Sequence, residues 1–101
     1  MGFVVYLEID LFLAEGTNLK AKRKEVQSVK AQLARRFGAS VAEIDSHDLW
    51  QRATLSCAIT ARDAAGASGQ ADAAERWMRG RFPDGCSIRR ALLSGDEMLD
   101  G

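Results

Sequence analysis

Phe3-Val4-Val5-Tyr6-Leu7-Glu8-Ile9-Asp10-Leu11-Phe12-Leu13 alternates along its whole length. Phe3, Val5, Leu7, Ile9, Leu11 and Leu13 fall on one side, and Val4, Tyr6, Glu8, Asp10 and Phe12 on the other. A period of two with one apolar side predicts a half-buried β-strand. Glu15-Gly16-Thr17-Asn18 then breaks the pattern, and Thr17 or Asn18 is placed to cap a helix. From Leu19 to Phe37 the period changes to that of a helix. Leu19, Val26, Val29, Leu33 and Phe37 form one stripe, Arg35 and Arg36 lie in the last turn, and Gly38 supplies a left-handed C-cap.

Beyond this unit the pattern repeats with a variation. Residues 39–45 form a short strand, Ser46-His47-Asp48 a polar turn, and residues 50–61 a longer strand with Gln51, Ala53, Leu55, Cys57 and Ile59 on one side. Two strands so closely joined predict a hairpin. A second helix is expected over Ala64 to Phe82, with Ala67, Ala71, Ala74, Met78 and Phe82 on its stripe and Trp77 beside it. Gly66 and Gly69 cost about 1 kcal/mol each relative to alanine, so a frayed start is expected. Pro83-Asp84-Gly85 stops the helix, and a last strand covers 87–93. The order β-α-β-β-α-β with right-handed crossovers defines an α+β, ferredoxin-like fold. It carries a four-stranded antiparallel sheet and places both helices on one face. Residues 1–94 make one domain, and 95–101 an acidic tail expected to be mobile.

Composition narrows the function classes. A chain of 101 residues has room for one core, burying roughly 60–65% of its unfolded surface. Its 47% apolar and 28% charged residues are ordinary for a globular protein. No stretch approaches the ~20 apolar residues of a membrane span, and the apolar N-terminus lacks a basic lead-in, so no signal peptide is expected. These features predict a cytoplasmic protein with reduced thiols. Cys57 and Cys86 are too distant in sequence for a Cys-x-x-Cys motif and read as small buried hydrophobes. His47 has no second ligand at helical spacing, so no metal is expected, and Asp48 reads as a turn cap. There is no phosphate-cradling glycine loop and no Ser/His/Asp set. No cofactor and no catalytic residue are expected. Glu8 and Asp10 share a side, but an open sheet without a pocket is a poor setting for acid–base chemistry.

Charge is unevenly placed. The 14 basic and 14 acidic side chains cancel, yet Thr17 to Phe37 holds Lys20, Lys22, Arg23, Lys24, Lys30, Arg35 and Arg36 against one acid, Glu25. Lys20, Arg23, Lys24, Lys30 and Arg35 are candidates for contacting a phosphate backbone, the alternative being a plainly solvated helix face. Lys22 falls on the apolar stripe, where it must snorkel to water or meet a carboxylate; a structural ion pair is expected. A pair between Arg52 and Glu43 across the hairpin is also expected. The open sheet face lacks the central aromatics of base-stacking platforms and carries carboxylates that repel phosphate. Its apolar residues Val4, Tyr6 and Phe12, with Trp50, are candidates for an interface, in a homodimer or around a small ligand.

Asn18-Leu19-Lys20-Ala21-Lys22-Arg23, Val41-Ala42-Glu43-Ile44 and Asp48-Leu49-Trp50-Gln51-Arg52-Ala53-Thr54-Leu55 together resemble the YlxP-like family of bacterial proteins, over the chain to about Leu93. Asn18 stands where that family typically has serine. The resemblance implies a ferredoxin-like fold, often dimeric, with no assigned activity. Family members are often encoded beside transcription and translation factors, which implies an RNA or ribosome connection. The leading expectation is therefore a non-enzymatic protein that binds RNA or the ribosome through its first helix. The alternative is a homodimeric interaction or regulatory module that uses the sheet face.

Overall fold

The computed structural model describes residues 1–14, 18–45, 49 and 51–100. Its elements are β1 (Phe3–Phe12), α1 (Leu19–Phe37), β2 (Ser40–Asp45), β3 (Arg52–Ala61), α2 (Ala64–Arg81), β4 (Cys86–Ser94) and α3 (Gly95–Asp100). The strands form one antiparallel sheet in the order β2-β3-β1-β4. The alternating N-terminal stretch is thus a central strand, flanked by the hairpin on one side and by the last strand on the other. This is the ferredoxin-like arrangement.

The core lies between one sheet face and the two long helices. Val5, Leu7, Ile9 and Leu11 of β1 and Ala53, Leu55, Cys57 and Ile59 of β3 are all buried. They meet Val26, Val29 and Leu33 from α1 and Ala67, Ala71, Ala74 and Met78 from α2. Each large apolar side chain so placed stabilises the fold by roughly 1.5–3 kcal/mol. The alanine stripe has a geometric effect as well, because short side chains let the α2 backbone lie close to the sheet. Trp77 packs edge-on to Phe37 with ring centroids 6.2 Å apart, closing the gap between the helices.

Local chemistry sets the helix ends. The Asn18 side chain accepts from the Ala21 N–H at 2.8 Å, and Gly38, at φ 65°, donates to the Ala34 carbonyl. These are the predicted caps. The start of α2 differs from expectation. It is regular from Ala64 because Asp63 caps it, accepting from the Gly66 N–H at 2.6 Å. That bond offsets the cost of the glycine.

The acidic tail is also corrected. Residues Gly95–Asp100 form the short helix α3, held by a reciprocal cap. The Glu97 N–H donates to Ser94 Oγ, and the Ser94 N–H donates to Glu97 Oε1. Ser-x-x-Glu is the sequence signature of such a capping box. The turn at 46–48 and Trp50 lie outside the described residues, so the placements expected for His47, Asp48 and Trp50 do too.

Candidate phosphate-binding helix and the open sheet face

Helix α1 sorts its polar residues by side. Lys22 lies on the buried stripe, 2% exposed. Its ammonium donates to the Leu49 carbonyl at 2.7 Å and stands 3.4 Å from Glu43 of β2. This is the expected structural ion pair, and it identifies the carboxylate. It also overturns the pairing of Glu43 with Arg52. Glu43 sits opposite Leu55 and so faces the helices, whereas Arg52 sits opposite Phe12 at the far end of β3. There the Arg52 guanidinium lies 4.8 Å from the centre of the Phe12 ring.

The flank of α1 that faces α2 is tied down. Arg81 donates to Glu25 Oε1 through Nη2 at 2.9 Å and through Nε at 3.2 Å, and reaches Ser28 at 3.4 Å. The single acid of the basic segment is thereby spent on a structural contact. Arg36 donates to Gln32 and lies over the Trp77 ring. By contrast, Lys20, Arg23, Lys24 and Arg35 are exposed, and Lys30 is half-buried. At about 100° per residue, Lys20, Lys24 and Arg35 form the outer ridge, and Arg23 and Lys30 stand on the flank away from α2. The five make a broad band instead of one line.

None of the five has a carboxylate within ion-pairing distance among the described residues. Arginines elsewhere are largely matched. Arg79 meets Glu75, Arg89 meets Glu8, and Arg90 meets both Asp72 at 2.8 Å and Glu75 at 2.7 Å. The bond to Asp72 is the main reason the Arg90 guanidinium holds its proton more tightly than usual. Arg62, which precedes α2, and Arg76 within it also lack acids but stand 14 residues apart in the chain. A cluster of unmatched cations is therefore specific to α1.

The open sheet face carries Val4, Tyr6, Glu8, Asp10 and Phe12 from β1. Val4 and Tyr6 are half-buried, and Phe12 is 45% exposed. The carboxylates between them are engaged. Glu8 accepts from the Tyr6 hydroxyl at 3.0 Å and from Arg89 at 2.9 Å, and Asp10 accepts from Thr54 at 2.7 Å. Desolvation first, then the bond to Glu8, raises the Tyr6 pKa. Beside them lies a shallow depression of about 190 Å³ lined by Tyr6, Glu8, Arg89, Arg90 and Ala91. The interface candidates Val4, Tyr6 and Phe12 thus share a face with a polar network, not a continuous apolar patch.

At the far end of the sheet, Phe12, Leu13, Ala21, Glu25 and Phe82 line a groove of about 280 Å³. Among the described residues no group of histidine, cysteine and carboxylate side chains is arranged to hold a metal. Both cysteines are free thiols. Burial pushes Cys57 up to about 11 and also raises Cys86, so neither is poised as a nucleophile at neutral pH. No helix among the described residues is long and apolar enough to cross a membrane.

Fold and surface together define a small ferredoxin-like α+β domain with one basic helix. The chain belongs to the family described as "Protein of unknown function (DUF503)", whose model matches residues 4–86. Among solved structures, it is similar to the de novo designed protein Foldit4, with a TM-score of 0.64 at 9% identity over 93% of this chain and 98% of that one. It is also similar to a putative antibiotic biosynthesis monooxygenase from Nitrosomonas europaea (TM-score 0.53, 15% identity, 92% of this chain and 89% of that one). A Shewanella oneidensis protein gives a TM-score of 0.51 at 17% identity, covering 89% of this chain and 88% of that one. At these identities the likeness is one of fold alone. No curated protein matches the chain.

Proposed function

We propose that the protein binds the phosphate backbone of structured RNA, on the ribosome or its precursors, through the outer band of α1, and that it acts by binding without catalysis. The observation that carries this reading is the cluster Lys20, Arg23, Lys24, Lys30 and Arg35, unmatched by carboxylates while most other arginines are paired or stacked. Unmatched cations on a rigid helix release counterions from a polyanion at little cost in lost internal contacts. The engaged state of Glu8 and Asp10 favours a binding role over acid–base chemistry on the sheet. The resemblance to YlxP-like proteins supports the same direction.

The test is binding to ribosomal subunits and to structured RNA across a salt series. With all five residues on phosphates, the logarithmic salt slope is about −3.5 if the contacted strand is single. Changing Lys20, Arg23 and Lys24 together to alanine reduces the slope by about 2, since each phosphate contact contributes ~0.7. These three side chains are exposed, so the fold is unaffected. Equal binding by the triple variant would refute the assignment to α1.

A further inference from the structure

Helix α1 carries its unmatched cations in two rows. At about 100° per residue, Lys20, Lys24 and Arg35 fall within roughly 60° of one another on the ridge, and Arg23 and Lys30 within about 20° on the flank. About 100° of arc separates the rows, which sets their charged ends on the order of 10 Å apart. Only Gln27 and Ala34 lie between them, and both are exposed. The two glutamines of the helix are used differently. Gln32 donates to Ser28 and accepts from Arg36, whereas the Gln27 amide has no partner among the described residues.

Two rows of cations with neutral residues between them match two rows of phosphates flanking a groove. A single strand offers one row, and its bases gain most from stacking. The band has no aromatic side chain to give: Phe37 packs on Trp77, and Arg36 lies over that ring. Depth decides between the duplexes. The DNA major groove is about 12 Å wide and 8.5 Å deep, so a helix about 10–12 Å across must sink into it by most of its girth. α1 is flanked by α2, through Arg81 with Glu25 and Trp77 with Phe37, which prevents this. The minor groove of A-form RNA is wide and shallow and displays the 2′-hydroxyls.

Resting on the phosphate-binding role proposed for α1, we infer that this helix lies along the minor groove of an A-form RNA duplex, one row of cations on each strand, with the Gln27 amide bonded to a 2′-hydroxyl between them. Gln27 is then the group that separates RNA from DNA, since its amide can both donate to and accept from that hydroxyl. Ala34 offers no side-chain hydrogen bond, so base sequence is left unread.

Fluorescence anisotropy over a salt series tests this with a labelled RNA duplex of about 16 base pairs, one of its strands alone, and the DNA duplex of the same sequence. The RNA duplex is expected to bind most tightly, with a logarithmic salt slope of about −4.5 for five phosphates on a duplex. Gln27→Ala, at an exposed position, leaves the fold intact. It should weaken the RNA duplex about fivefold, the worth of one hydrogen bond, and leave the DNA duplex unchanged. A 2′-fluoro duplex keeps A-form geometry without the hydroxyl. It should bind the wild-type chain about as weakly as the unmodified duplex binds the variant. A single strand or DNA duplex bound as tightly as the RNA duplex overturns the inference, as does a Gln27→Ala chain that binds the RNA duplex like wild type. In either case, loss of binding in the Lys20, Arg23 and Lys24 alanine variant would leave the role of α1 standing. Failure of all three nucleic acids to bind removes both.

Discussion

Replacing Lys22 by methionine keeps most of the aliphatic stem and removes the charge. The change deletes a 2.7 Å hydrogen bond to the Leu49 carbonyl and leaves a thioether facing Glu43 where an ammonium stood at 3.4 Å. Removing one partner of a buried ion pair costs about 3–5 kcal/mol. Glu43 retains 20% exposure, so water relieves part of that, and a loss of about 3 kcal/mol is expected. A domain of this size has about 5–15 kcal/mol in total, so the variant should lose a substantial share, visible as a fall in Tm of roughly 12–24 °C.

Glu43→Gln keeps an acceptor beside the ammonium and should cost about 1 kcal/mol. The double variant should cost less than the sum of the two by more than about 1 kcal/mol, because neither charge is then stranded. Urea denaturation with unchanged m-values is the assay. If Lys22→Met lies within about 0.5 kcal/mol of wild type, or if the two changes are additive, the ion pair does not hold β2 to α1 as argued.

Stability should also fall in alkali through Cys57. Burial holds this thiol protonated up to about 11 while its ordinary value is 9.0, so the unfolded chain loses the proton first as pH rises. Between those values the native state binds more protons, and unfolding becomes easier by about 2–3 kcal/mol. Urea midpoints measured over that range should show a slope that flattens in Cys57→Val; identical slopes would refute the assignment. Gly85→Ala should cost about 1–3 kcal/mol in thermal melts, because a Cβ there collides with the Phe12 carbonyl and separates the backbone pair that ends the β1–β4 ladder. An unchanged Tm would mean that the close approach is relaxed in solution.

Where a residue's neighbours lie nearby in the chain, the sequence is readable. The alternation from Phe3 to Leu13 marks β1, the stripe through Val26, Val29 and Leu33 marks α1, and Asn18 and Gly38 mark its ends. Lys22 was legible as a misfit needing a partner. The partner itself was not, because Glu43 is brought to it by the packing of β2 under α1. Arg81 with Glu25 is the same case, joining two helices far apart in sequence. The caps at Asp63 and Ser94 have local signatures, and the alanine- and glycine-rich composition that follows Asp63 masks the first of them. Of the site, the basic segment was visible from charge counting. What the fold adds is that Glu25 is taken up by α2, which leaves the rest of the helix surface positive.

The place of β1 in the sheet has a bearing on how the domain is made. Its two neighbours are β3 and β4, and its pairing runs from Phe3 with Ser94 to Leu11 with Cys86. The first strand to be synthesised is therefore the one that waits longest, since half of its hydrogen-bonding capacity is satisfied only by the last strand. Contacts of such large sequence separation slow folding through the entropy of closing the intervening chain. On the ribosome, an apolar strand with one unsatisfied edge persists until β4 has cleared the exit tunnel. This interval is when the chain is most open to chaperones and to mispairing.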